Sequence, residues 1–180
     1  MLVAQEIRKT NIAEYILYMW QVEDLLRACQ FNVELIEKKL VSRFNADEKT
    51  AIEIAAWYNN LSLVMEKEYI QEKGHLQVIV NLISDLNEFH LKLIETQKDE
   101  RYGELYRMNR DAISEFIQKS GNAVQNEVEA CLNALYGVLL LKLKAVEITP
   151  QTRSTVEGFG QMIGHLSARY IQFENDDFEF

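Results

Sequence analysis

The sequence predicts an all-α fold, a compact antiparallel bundle of six or seven helices, and three observations carry that prediction. Apolar side chains recur every three to four positions over long stretches. Glycine is sparse at seven and proline is single, Pro150, whereas strand-rich folds need turn residues about every ten positions. The breaks between amphipathic stretches are short, which favours antiparallel neighbours.

The first predicted helix runs from about Ile7 to Cys29, with Ile12, Tyr15, Ile16, Met19, Val22 and Leu26 on one face. Gln30-Phe31-Asn32 breaks it. A shorter helix follows from Val33 to about Arg43, turning Ile36, Leu40 and Phe44 inward. Asn45 reads as the cap of the third helix, with Glu48 placed to reach back to it. That helix carries Ala51, Ile54, Trp57, Tyr58, Leu61, Met65 and Tyr69 on one stripe and is expected to end at Gly74. The fourth, His75 to about Thr96, is apolar over more than half its circumference and is expected to be central. Gln97 to Arg101 reads as a solvated linker before a fifth helix from about Tyr102 to Ser120. The sixth, about Ala123 to Val146, is the most apolar and also expected inside. Thr149-Pro150 opens the last helix, since proline at the first helical position sacrifices no hydrogen bond.

Composition narrows the function classes. At 180 residues the chain is long enough to bury a core without disulfides or metal, and residues 1–173 read as one bundle domain. Residues 174–180 hold four acids and no base, an acidic tail expected to fray. The net charge of −9, with no basic patch, argues against nucleic acid and anionic membrane as partners. Neither a secretory signal nor an apolar run near the ~20 residues of a membrane span is found, so a cytoplasmic location is expected. The two cysteines, Cys29 and Cys131, form no CxxC arrangement.

Three stretches carry a family likeness: Arg8 to Glu23, Gln71-Glu-Lys-Gly-His-Leu-Gln77, and Ala134 to Lys142. In order and spacing the chain resembles, over essentially its whole length, an uncharacterised bacterial all-helical family of about 180 residues, one of the numbered domain-of-unknown-function families. The resemblance implies a helical fold and an intracellular bacterial protein. It implies no activity.

Polar residues on apolar faces are the candidates for chemistry. Glu23 projects into the first helix's apolar face among Ile16, Met19 and Leu26, where an unpaired carboxylate would cost several kcal/mol. It reads as a general acid, base or cation ligand, or as half of a buried pair with Arg27 or, across the core, Lys142. Lys142 alternatively snorkels to water along its stem. His75 and His90 fall on the apolar arc of the fourth helix, and His165 falls on the polar side of the last. A single ion shared by His75 and His90 is excluded by fifteen helical residues, about 22 Å, between them. The di-iron pattern needs two Glu-x-x-His pairs and only Glu72-Lys-Gly-His75 occurs, so no metal or other cofactor is expected. His90 reads better as a core histidine bonded to a tyrosine or a carbonyl. HExxH, GxSxG and glycine-rich phosphate loops are missing. Gly160, Gly164 and Ser167 form a small-residue strip, either a self-association seam or a tight internal crossing.

Two classes of function are expected, the first ahead of the second, which is its alternative. One is a non-enzymatic helical protein working through protein–protein contacts or self-association. The other is a small-molecule-binding or hydrolytic protein with a pocket built from Glu23, His75, His90 and Lys142.

Overall fold

Helix boundaries follow the side chains that cap them. The computed structural model describes residues 2–180, leaving aside the side chains of Leu2 and Asn122. Among the described residues the regular structure is entirely helical: eight α-helices and two short 3₁₀ turns. This is an all-α protein with slightly more helices than the six or seven expected.

The extra helix comes from Asn11. Its side-chain oxygen accepts the Glu14 N–H at 3.1 Å, competing with the helical ladder, so the expected first helix divides into α1 (Leu2–Thr10) and α2 (Ile12–Ala28). Gln30 and Phe31 then take left-handed backbone, and Asn32 caps α3 (Val33–Lys39). A 3₁₀ turn over Val41–Phe44 replaces the expected last turn of α3 and leaves Phe44 exposed. Asn45 closes that turn in the left-handed region instead of opening the next helix. The cap of α4 (Glu48–Lys67) is Asp47, which accepts the Thr50 N–H.

Gly74 does not end α4. The left-handed residue after it is Tyr69 (φ 57°), with the Ile70 N–H returning to the Met65 carbonyl at 3.0 Å. Residues 70–76 form an irregular loop, so His75 precedes α5 (Gln77–Thr96) and is not on it. α5 buries one stripe, Ile79, Ile83, Leu86, Phe89 and Leu93, while Val78, Val80 and Leu91 face solvent. It is an amphipathic surface helix, not the central one expected.

Asp99, placed by the sequence in a solvated linker, is buried and caps α6 (Glu100–Ser120). A second 3₁₀ turn leads to Asn126, which caps α7 (Glu127–Leu143). Thr149 caps α8 (Pro150–Glu174), with Pro150 in its first turn.

Contacts group the chain into two compact units. Met1–Arg8 and Tyr15–Asn81 form the first, Lys9–Glu14 and Leu82–Phe180 the second. In the first, α4 packs against α3 and the 3₁₀ turn. In the second, α6, α7 and α8 pack against one another in all three pairings. The first half of α7 is buried almost all round through Val128, Ala130, Cys131, Leu132 and Ala134, which explains its lack of a polar face. Leu135 of α7 lies opposite Gly160 at a distance that would leave ordinary contact even with a Cβ there, and the Ser167 hydroxyl accepts the Ala13 N–H at 3.1 Å.

Candidate functional site

Two polar clusters stand out, one in each unit. In the first unit α2 carries Glu23 on its buried face, as the apolar spacing predicts, and the side chain is fully buried. Its oxygens are taken separately. Oε2 lies 2.6 Å from His75 Nδ1, and Oε1 accepts the Leu76 N–H at 2.9 Å. The carboxylate thus serves a backbone donor entering α5 and fixes the imidazole beside it.

Trp20, one turn before Glu23, stacks on the His75 ring with centroids 4.5 Å apart and planes 23° from parallel. Arg27, one turn after, does not pair with Glu23. Its guanidinium bonds Asp24 at 3.1 Å, the Ile70 carbonyl at 3.1 Å and the Gly74 carbonyl. It therefore clamps the loop that carries His75. Glu68 adds a further restraint by accepting the Gln77 N–H at 2.8 Å.

The outcome is an imidazole held at its edge by Glu23 and on its face by Trp20, its side chain still 32% exposed. A carboxylate on Nδ1 sets the tautomer with the proton there, which leaves the Nε2 lone pair for a proton, an electrophile or a hydrogen-bond donor. Two of the three stretches behind the family likeness, Arg8–Glu23 and Gln71–Gln77, meet at this point.

The second unit buries a different constellation. His90 on α5 lies with Nδ1 2.6 Å from the Tyr102 hydroxyl and Nε2 2.9 Å from Glu127 Oε2. Tyr106 donates to Glu127 Oε1 at 3.1 Å. A proton on Nε2 satisfies the carboxylate while Nδ1 accepts the phenol, so each group has a partner. The His90 hydrogen bond holds the Glu127 carboxyl below its ordinary range, against the opposing pull of burial. Burial drives the Tyr102 phenol and the nearby Cys131 thiol well upward, leaving both protonated and unreactive.

Beside it, Asp99 Oδ2 accepts from His165 Nε2 at 2.7 Å and Arg169 Nε at 2.5 Å, while Oδ1 takes the Tyr102 N–H at 2.9 Å. Burial alone would raise this carboxyl, yet those three donors hold it down to about 2. His165, expected on the polar side of α8, is thereby half-buried. Both arrangements fasten helices together. Tyr102 is fully buried, so His90 has no route to a substrate through it.

The four sequence candidates separate accordingly. Glu23 and His75 are direct partners. His90 bonds Tyr102 and Glu127, the tyrosine partner being the expected kind. Lys142 is exposed on α7, and the Glu23 oxygens that a Glu23–Lys142 pair would need are occupied by His75 and Leu76. None of the four lines the cavity of about 500 Å³ bounded by Phe116, Val138, Val156 and Phe159, or that of about 380 Å³ beside Val3, Phe44 and Ile54. Among the described residues no three His, Cys, Asp or Glu side chains group to hold a metal ion. Likewise, no helix there is long and apolar enough to cross a membrane.

Sequence reasoning missed Asp99 and Glu127. Asp99 had a legible signal, an aspartate immediately before an amphipathic run. Glu127 had none, because only the fold brings it to His90.

No curated protein and no solved structure matches the chain. The family described as Domain of unknown function (DUF4924) matches residues 1–177. With all but the last three residues inside that match, the chain belongs to this family of unknown function.

Proposed function

We propose that this protein acts on or binds a small molecule through the His75 imidazole, with Glu23 as the residue that positions it. The observation that carries this reading is the asymmetry of the dyad. The carboxylate is sealed from water and commits Nδ1, while the imidazole side chain it holds stays about a third exposed. Catalytic and ligand-binding imidazoles are set up this way, because orientation and tautomer must be fixed before Nε2 can work as base, nucleophile or acceptor.

Acylation by diethyl pyrocarbonate, followed by mass at each histidine, tests it. His75 should react first, ahead of His90 and His165, and Glu23→Gln should slow it about tenfold while the helical circular dichroism is retained. Equal rates in the two proteins would refute the positioning role. A His75 that reacts no faster than buried His90 would refute the reading altogether.

A second reading, a protein working through contacts with other proteins or itself, is favoured by α4. Ile52 and Leu63 are 64% and 53% exposed, and Ala56 lies between them on the same face. Ile52→Lys with Leu63→Lys would then shift the sedimentation profile toward smaller species, and an unchanged monomer would remove self-association through this face.

A further inference from the structure

Residues 174–180, Glu-Asn-Asp-Asp-Phe-Glu-Phe, do not run on from α8 in its own direction. Asp176 takes left-handed backbone (φ 60°), and the Asp177 N–H returns to the Gln172 carbonyl at 2.8 Å, turning the chain back. The turn brings Phe178 and Phe180 over Phe89 of α5, with ring centroids at 6.1 Å and 5.1 Å. Phe173 borders the same place, 5.3 Å from Phe89 and 5.5 Å from Phe180.

Two cations complete the seat. Lys92 Nζ lies 4.5 Å from the centre of the Phe180 ring, and the Arg169 guanidinium 5.6 Å from that of Phe178. The seat belongs to helices α5 and α8, whereas its occupant is irregular chain beyond α8. Both occupying rings remain partly exposed, so they lie on the surface and are no part of a closed core.

We propose that Phe89, Lys92, Arg169 and Phe173 form a recognition site for acidic peptides bearing two phenylalanines one residue apart, which this chain fills with its own Phe178-Glu-Phe180. The chemistry of the seat points to that class. Its apolar floor takes rings, and its cations sit where ring faces and neighbouring carboxylates are both attractive. The site is independent of His75 and of any reaction there.

A tether of three residues holds the occupant at an effective concentration on the order of millimolar, so a partner must exceed that competition to enter. Occupation in cis keeps the site shut to weak ligands and opens it to a peptide with additional contacts.

The experiment titrates a synthetic peptide with the sequence of residues 175–180 into the full chain and into its Phe178→Ala, Phe180→Ala variant, following amide shifts around Phe89 and Lys92. The variant should bind the peptide at least about tenfold more tightly than the unaltered chain, and Lys92→Glu in the variant should weaken it about tenfold. If the double variant loses its helical circular dichroism, Phe180→Ser alone serves in its place. Equal binding to both proteins would overturn the proposal, as would no binding to the opened variant at about 5 mM peptide.

Discussion

Glu23 shows how a carboxylate is kept inside an apolar helix face. It sits in the middle of an apolar helix face, where desolvation would expel an unpartnered carboxylate, and it is retained because each oxygen meets a donor. Glu23→Ala should therefore lower the unfolding free energy by on the order of 3 kcal/mol in urea titrations, since the Leu76 N–H is left buried without its acceptor. Glu23→Gln keeps an acceptor and should cost distinctly less. If the two variants cost the same, the Leu76 hydrogen bond contributes nothing to the difference. The sequence made Glu23 conspicuous through its apolar neighbours at helical spacing. Its partner was misplaced, because Arg27 is nearest along the helix whereas His75 arrives from a loop 52 residues away.

Elements end where capping chemistry or backbone strain stops them. Asp47, Asp99, Asn126 and Thr149 open helices by accepting an amide at the third following position, and all are short polar side chains suited to that bond. The end of α4 is different. Tyr69 stands there in left-handed backbone, a conformation that costs an L-residue roughly 1 kcal/mol, with its ring 89% exposed and little to recover the cost. Tyr69→Gly should raise the unfolding free energy by about 1 kcal/mol, and a destabilised variant would show the ring to be holding something in place. Nothing local announces Tyr69 as a terminus. Gly74 was the better guess by propensity, and it does take positive φ, but within the following loop. Tertiary contact placed the end earlier, as Arg27 bonds the carbonyls of Ile70 and Gly74 and so holds the loop open.

For the molecule as a whole, acid should be the sensitive direction. Asp99 has its carboxyl held near 2 against an ordinary value of 3.8, and Glu127 is also held low. A carboxyl depressed in the folded state stabilises fully above its unfolded value and loses that contribution as pH falls toward the folded one. Melting temperature should therefore drop between about pH 4 and pH 2, with a shallower drop in Asp99→Asn, which is less stable at neutral pH but has no such proton to take up. Parallel pH profiles for the two proteins would show that Asp99 is not the titrating group. The charged network behind this, Asp99 with His165 and Arg169, unites residues 66 and 70 positions apart.

What the sequence determined by itself was the repeating part of the molecule. The all-α class, the buried stripe of α2, that of α4 through Ile54, Tyr58 and Met65 but not Tyr69, the Thr149-Pro150 helix start and the burial of Glu23 follow from periodicity and propensity, which act over a few residues. What tertiary structure alone decided was which polar group meets which. His75 left its expected helix for a loop, Lys142 went to solvent, and His90 took Glu127, a residue no spacing rule singles out. Such pairings are set when a buried charge or donor must find a complement somewhere in space, and distance along the chain carries no information about where that will be.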